Sequence, residues 1–175
     1  MFERVVSLEA QKAYEELRAA LLRNRCKIVA EEPLKSVTVE QGSLWGVSPK
    51  GAKKKITFRL FPQDSKTRIV SVSSLTSGWV GASIFSYVLG IVLASIFGWI
   101  AMDLEASITA QRRSFWGWLA EALGYTGFRE ALRIANLLKI TSIVLFVMVI
   151  TFIVIGVFIY VKRDSFSEEI LRLLP

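Results

Sequence analysis

The residues of this chain that could do chemistry are few, and their spacing does not assemble a catalytic site. The sequence contains no histidine, which removes the commonest general base and the commonest ligand of transition metals. Serine and threonine nucleophiles therefore lack the histidine that usually activates them. A phosphate-binding loop and a GxGxxG motif are also missing from the sequence, so it carries no nucleotide-binding signature. We predict a protein that is not an enzyme and that has no cofactor and no metal site.

Acidic pairs and the single cysteine give no stronger signal. Three pairs of carboxylates are sequence neighbours, which do not share a helix face; these are Glu15 with Glu16, Glu31 with Glu32, and Glu168 with Glu169. Cys26 is the only cysteine, which excludes an intrachain disulfide and a CxxC site. Its basic neighbours Arg25 and Lys27 could lower its pKa, but the favoured interpretation is a buried structural thiol at a helix–strand junction.

Hydrophobic residues make up 53% of the 175 residues, above the roughly 45–50% of an ordinary soluble domain. The excess lies in two stretches, 79–102 and 140–161, which contain no Asp, Glu, Lys or Arg. Each exceeds the roughly 18 apolar residues that cross a bilayer. Trp79 and Trp99 bound the first stretch at depths expected of membrane interfaces. The sequence therefore predicts a membrane protein with two transmembrane helices. The scarcity of Asn and Gln, six in all, fits a thermophilic source.

The segment before the first span has the pattern of a small α+β domain, residues 1–76. A strand at 2–6 precedes a helix with Ser7 as its N-cap and with Ala13 and Leu17 on its apolar face. Period-two alternation then predicts further strands at 27–31, 36–41, 55–61 and 67–75. The order β-α-β-β-β-β favours one helix laid across an antiparallel sheet.

The segments outside the spans are predicted to be amphipathic helices. Residues 103–139 are too polar to cross the membrane, and a break at 124–127 divides them into two helices with apolar faces at three- or four-residue spacing. In the tail, 162–175, Ser165 and Glu168 form a capping-box pattern. The apolar residues of that tail helix are Phe166, Ile170, Leu173 and Leu174.

The orientation follows from the distribution of basic residues. The first 78 residues carry 14 Lys and Arg, the connecting segment 5 and the tail 3. Two spans place both termini on one side, and the positive-inside rule favours the cytoplasm for that side.

Small residues recur every fourth position in the first span without interruption. Repeats of this kind let another helix backbone approach closely, and such packing drives helix association in membranes. The partner of this stripe is open: it is the second span, another copy of the chain, or another protein. The second span has no matching stripe and is predicted to face mainly lipid. The stripe consists of Gly78, Ala82, Ser86, Gly90, Ala94 and Gly98.

A basic run, Lys50, Lys53, Lys54 and Lys55, lies on a turn that contains Pro49 and Gly51. It could bind an anionic headgroup or an acidic partner; the alternative is a solvated hairpin tip that only adds solubility. RNA is a further ligand of this chemistry, but no nucleic-acid motif accompanies the run, and we expect no nucleic-acid partner. The nearest aromatic residue, Trp45, is predicted to cap the end of the sheet.

Aromatic and basic residues also cluster in the connecting segment. Such side chains favour the headgroup boundary, and they would anchor an in-plane helix there. An equal alternative is that the segment folds as a cap on the extramembrane face of a partner. The anchor residues are Arg112, Arg113, Phe115, Trp116 and Trp118.

These features favour a non-catalytic accessory or scaffold subunit of a membrane protein assembly, with a cytoplasmic docking domain. Its expected partners are membrane lipid and other membrane subunits or copies of itself. The spans contain no Asp, Glu, Lys, Arg or His, which argues against a pump or carrier because those proteins place such groups at membrane depth. A small homo-oligomeric channel lined by the first span is the alternative, with Ser83, Ser86, Tyr87 and Ser95 as its polar lining. A membrane enzyme acting on lipid or peptide is a third hypothesis.

Overall fold

A computed structural model of the protein describes residues 2–110, 114–122 and 128–175. It confirms the α+β class and the order of the first six elements. The strands are β1 (Phe2–Val6), β2 (Lys27–Glu32), β3 (Ser36–Gln41), β4 (Lys54–Gln63) and β5 (Lys66–Leu75). The helices are α1 (Ala10–Arg23), α2 (Ser77–Ala110), α3 (Gly117–Ala122), α4 (Phe128–Val161) and α5 (Ser165–Arg172).

The five strands form one antiparallel sheet in the order β1-β5-β4-β3-β2. Because side chains alternate between the faces of a strand, β4 points Ile56, Phe58 and Leu60 into the core, where each is at most 5% exposed.

Helix α1 covers the inner face of this sheet with its apolar stripe. Ala13, Leu17, Ala20 and Leu21 are buried, as the spacing predicts. The predicted N-cap is wrong, however: the helix begins at Ala10 and Glu9 occupies the cap position in an extended conformation. Ser7 lies too early because Thr67 Oγ1 donates a hydrogen bond to Leu8 O over 2.8 Å, which ties this segment to β5 rather than to the helix.

The C-terminal helix α5 completes the core of the same domain. Phe166, Ile170 and Leu171 belong to one buried cluster with Leu17, and with Phe58 of the sheet. The predicted apolar face is therefore partly wrong, because Leu171 is buried and Leu173 is exposed. The capping box is wrong too: Asp164 is the N-cap, and its carbonyl accepts hydrogen bonds from Glu168 N and Ser167 Oγ.

The long helices extend past the predicted ends of the spans. α2 runs on to Ala110 and α4 starts at Phe128, so the described polar residues on either side of the α3 segment mostly continue the spanning helices. No Gly or Pro occurs at 103–110 or 128–139 to end a helix there. The predicted break at 124–127 lies outside the described residues. The side chains of Leu119 and Phe128, one from each of the two predicted apolar faces, are also outside them.

The chain divides into two compact units. We call Met1–Ser83 together with Ile155–Pro175 the sheet domain, and Ile84–Val154 the helical hairpin. Both α2 and α4 are long and apolar enough to cross a membrane. Only 17% and 11% of their most apolar segments are buried, whereas the core helix of a soluble protein would be mostly buried.

Candidate functional site

Small and hydroxylated residues make the closest contacts between α2 and α4, and the larger Ile100, Leu104 and Val149 are also buried in the hairpin. A Cβ atom added to Gly90 would lie 2.5 Å from Val149 Cγ2, and one added to Gly98 would lie 3.0 Å from Ser142 Oγ. Ala94, between them, is 3% exposed. Three residues of the small-residue stripe thus pack against α4, the second span of the same chain.

Two side-chain hydrogen bonds join α2 and α4 inside the hairpin. Ser142 Oγ donates to Ala94 O over 2.8 Å, and Tyr87 Oη donates to Phe152 O over 3.1 Å. Each uses a backbone carbonyl, which has a second lone pair available beyond its helical bond. The hydroxyl of Tyr87, one of the proposed pore-lining groups, is therefore already bonded within the chain.

The six stripe residues do not all face one neighbour. Five four-residue steps from Gly78 to Gly98 each advance 400°, so the stripe turns by about 200° around the helix. The space beside Gly78 is taken by Leu44 Cδ2 of the sheet domain, 3.2 Å from an added Cβ atom. Ala82 is half-buried and Ser86 is exposed. A regular sequence spacing of four therefore corresponds to several different environments.

The outer surface of the hairpin is apolar and bulky. Its exposed side chains on α2 include Phe85, Leu89 and Val92, and those on α4 include Phe146, Val147 and Ile150. From 84 to 102 and from 140 to 154 the hairpin contains no Asp, Glu, Lys, Arg or His. A surface of this kind is unstable in water and matches a lipid environment.

An aromatic cluster lies at the end of the hairpin where α2 leaves its uncharged stretch. Trp99 stacks on Phe115 at 5.8 Å between ring centroids, and Trp116 meets both rings edge to face. Asp103 Oδ2 accepts hydrogen bonds from Ser114 Oγ and Trp116 N. The structure thus brings Phe115 and Trp116 together, with Trp118 6.1 Å from Trp116. The predicted anchors Arg112 and Arg113 lie outside the described residues.

Trp79 takes a different position from Trp99. It is 7% exposed and packs with Ala52 and Ile159, and its indole Nε1 donates to Gly46 O over 3.0 Å. The predicted interfacial anchor is thus a contact inside the sheet domain. Its ring is held by the loop between β3 and β4, residues 42–53.

The four lysines of the basic run have four different environments. Lys50 forms an ion pair with Glu169 at 2.5 Å, Lys53 approaches Glu40 at 3.6 Å, and Lys55 is exposed. Lys54 is fully buried. Exposed pairs are weak, so Lys50 and Lys53 can still exchange partners, but Lys54 cannot contact an external anion in this conformation.

Lys54 is held between the 42–53 loop and α5. Its Nζ donates to Pro49 O over 2.7 Å and lies 5.2 Å from the centroid of the Phe166 ring. Burial lowers the pKa of Lys54 to about 8, although the charge of Asp164 acts in the opposite direction. The sequence contained the signal for this position: Lys54 is in phase with Ile56, Phe58 and Leu60, the inward residues of β4.

Cys26 is buried at the junction of α1 and β2, as predicted. Burial raises its pKa, with the charge of Lys54 opposing that shift, so Arg25 and Lys27 do not activate it. Of the acidic pairs, Glu31 is bonded to Tyr14 and Arg18 of α1. Among the described residues, no group of three or more His, Cys, Asp or Glu could hold a metal ion.

The outward face of the sheet carries an apolar patch. Val5, Phe61 and Val72 are 45–50% exposed there, and Arg68 lies between Val5 and Phe61 in the strand register. Arg68 also stacks on Phe61 at 5.7 Å. We call these four residues the outer-sheet patch.

Comparison with known proteins adds no family to this picture. No protein-family model matches the chain, and no curated protein matches it.

Proposed function

We propose that the protein is a non-catalytic, two-span membrane protein that serves as an accessory or scaffold subunit. In this proposal α2 and α4 anchor the chain in the cell membrane, both termini face the cytoplasm, and the sheet domain docks other components of an assembly.

The observation that supports the membrane anchor is the large apolar surface of the hairpin. Gly90, Ala94 and Gly98 contact α4, whereas large apolar side chains such as Phe85 and Phe146 are exposed. In water the hydrophobic effect would favour burial of those large side chains. In lipid, close packing of small residues and interhelical hydrogen bonds hold helices together.

The packing of α4 against the small-residue stripe changes the argument for assembly. Gly90 and Gly98 already have neighbours within the chain, so the stripe no longer requires a second protein. The docking role rests instead on the outer-sheet patch, where apolar side chains flank an arginine. Arginine and aromatic residues are enriched at protein interfaces.

The proposal is tested by purification from native membranes in mild detergent, followed by mass spectrometry of co-purifying chains. We expect defined partner polypeptides with the wild type and their loss with Phe61→Ser/Val72→Ser. A matched control, Lys66→Ser at the exposed first residue of β5, should retain them. If the wild type and both variants are each recovered without other polypeptides, the subunit role is contradicted.

Topology has its own test. Protease added to intact cells should leave the sheet domain uncut, because the proposal places it in the cytoplasm. Its digestion under those conditions would reverse the orientation without affecting the membrane anchor.

The channel alternative has less support from the contacts. Tyr87 bonds to Phe152 O, and the groove lined by Gly90 and Gly98 is filled by α4, so a pore would have to use the remaining hydroxyls of α2. Purification of a ring of identical chains together with ion flux in reconstituted liposomes would favour the channel.

A further inference from the structure

The 42–53 loop has a compact conformation that is fixed by backbone hydrogen bonds. Ser43 N donates to Gly51 O and Lys53 N donates to Ser43 O, which closes the loop at its base. Gly42 has φ +88°, and a Cβ atom on Gly46 would lie 1.9 Å from Gly51 O. Both positions require glycine, so this conformation is built into the sequence.

This rigid loop displays apolar side chains to its surroundings. Trp45 is 78% exposed, Val47 is 65% exposed and Leu44 is 41% exposed. The prediction that Trp45 caps the sheet is therefore wrong, because its ring projects away from the domain. Single exposed apolar residues are ordinary. Three within four residues on a preorganised loop form an apolar patch, and such patches mark contact with a membrane or another protein.

The loop is fixed beside the first turns of α2 and the last turns of α4. The Trp79 indole bonds to Gly46 O, next to Trp45 in sequence, and Ala52 packs with Trp79 and Ile159. Exposed apolar and aromatic side chains of the two long helices begin beside this loop: Val80 and Tyr160 are both exposed. Lys162 and Arg163 follow Tyr160 after one intervening residue, Val161, as basic residues do at the headgroup end of a span.

We propose that the 42–53 loop is a third membrane contact, which inserts Trp45 and Val47 into the interfacial region of the lipid bilayer next to the two spans. This inference rests on the proposed membrane anchor and goes beyond it. Tryptophan is the residue that most favours this region, because its ring is apolar and its N–H can bond to headgroups. Because the loop packs against Trp79 and Ile159 at the ends of the two spans, lipid is the phase that we expect to cover Trp45 and Val47.

The contact would restrain the sheet domain against the membrane. A domain joined to a membrane only by helix ends can tilt, whereas a third contact away from the helices opposes tilting. Lys50 and Lys53 lie on the same loop and are only ion-paired at an exposed surface, so they can turn towards anionic headgroups.

The test is site-directed spin labelling of the full chain in vesicles of equal parts phosphatidylcholine and phosphatidylglycerol. Nitroxides are attached at Val47→Cys, at Ser65→Cys and at Val147→Cys, each in a Cys26→Ala background. Ser65 is an exposed residue in the turn at the opposite end of β4 and is the matched control. Val147 lies on the outer surface of α4 and reports the span itself.

Collision rates with oxygen, which partitions into lipid, and with a water-soluble nickel chelate decide the outcome. We expect the nickel rate at position 47 to be several-fold lower than at 65, with an oxygen rate between those at 65 and 147. If 147 is deep but 47 is as accessible to nickel as 65, the loop contact is overturned and the membrane anchor stands.

Two other outcomes also overturn the proposal. Low rates with both reagents at 47 would mean that protein, not lipid, covers the loop. Free access of nickel to 147 would remove the membrane anchor and the loop contact together.

A second measurement avoids the label and the cysteine substitutions. Lipids brominated near the headgroup should quench a larger fraction of tryptophan fluorescence in the wild type than in Trp45→Phe. Equal quenched fractions in the two proteins would contradict insertion of Trp45, whatever the fate of the labelled variants.

Discussion

The sheet domain and the helical hairpin are packed by different kinds of side chain. The domain encloses Phe58, Leu17 and Ile170, and its surface includes polar residues such as Lys55 and Ser65. In the hairpin the closest contacts between α2 and α4 are made at Gly90, Ala94 and Ser142, whereas Phe85, Phe146 and other large apolar groups are exposed. Both units are held by close packing, but with the hairpin in a membrane, as we propose, only the domain gains from removing bulky side chains from water.

This difference shows how the surroundings select an interior. In water the largest apolar residues stabilise most when buried. When the surroundings are as apolar as leucine, burial of a large side chain adds little free energy. Close approach of the two helix backbones then stabilises the pairing more. We therefore expect the domain to be destabilised by substitutions to smaller residues and the hairpin by substitutions to larger ones.

The largest effect is expected from shortening a core residue of the domain. Ile170→Ala, at a fully buried position of α5, should lower the free energy of unfolding by about 4 kcal/mol through lost burial and a cavity. Leu173→Ala on the same helix, at an exposed position, is the control and should change it by under about 0.5 kcal/mol. Chemical denaturation in detergent micelles measures both. Similar effects from the two variants would mean that α5 is not part of the core.

The hairpin should respond to enlargement instead. Gly90→Leu forces a side chain into Val149 and should destabilise α2–α4 packing by about 3 kcal/mol. Gly81→Leu is the matched control, because nothing lies within 4 Å of a Cβ atom at that glycine of the same helix. Thermal unfolding in lipid nanodiscs compares them. Equal melting temperatures would show that the groove is not the packing surface.

The buried lysine makes the stability of the sheet domain depend on pH in the alkaline range. With a folded pKa of about 8 against an ordinary 10.5, Lys54 binds its proton more tightly in the unfolded chain. Stability should therefore rise from pH 8 towards 10.5, by roughly 2 kcal/mol. Lys54→Met should abolish this rise in denaturation curves, and Lys55→Met should keep it. A rise of the same size in Lys54→Met would assign it to other groups.

The smallest effect concerns the hydrogen bond from Ser142 to Ala94 O. Ser142→Ala removes a donor whose acceptor keeps its helical bond, so the loss should be only about 1 kcal/mol. Thr141→Ala, whose hydroxyl bonds to Leu137 O on its own helix, is the control and should not weaken the pairing of α2 with α4. Distances between spin labels on the two helices report that pairing.

Local pattern predicted much of the fold and little of the site. Alternation along β3 and β4 and the spacing of Leu17 and Leu21 on α1 each depend on neighbours in sequence, so they gave the strands, the helix and its buried face. The docking of α5 escaped prediction because Phe166 and Phe58 are distant in sequence. The sequence prediction begins β4 at Lys55, one residue too late, and so leaves Lys54 in the basic turn instead of in the core.

The sequence by itself determined that two uncharged apolar helices follow a small α+β domain, because composition, charge and periodicity are local quantities. Only the tertiary structure decided which surfaces face each other. It paired Gly90 with Val149, closed the domain with α5, and turned Trp79 inward and Trp45 outward. The physical reason is that small residues, lysine and tryptophan fit several environments. Their contacts are decided by the shape and polarity of what the rest of the chain brings beside them.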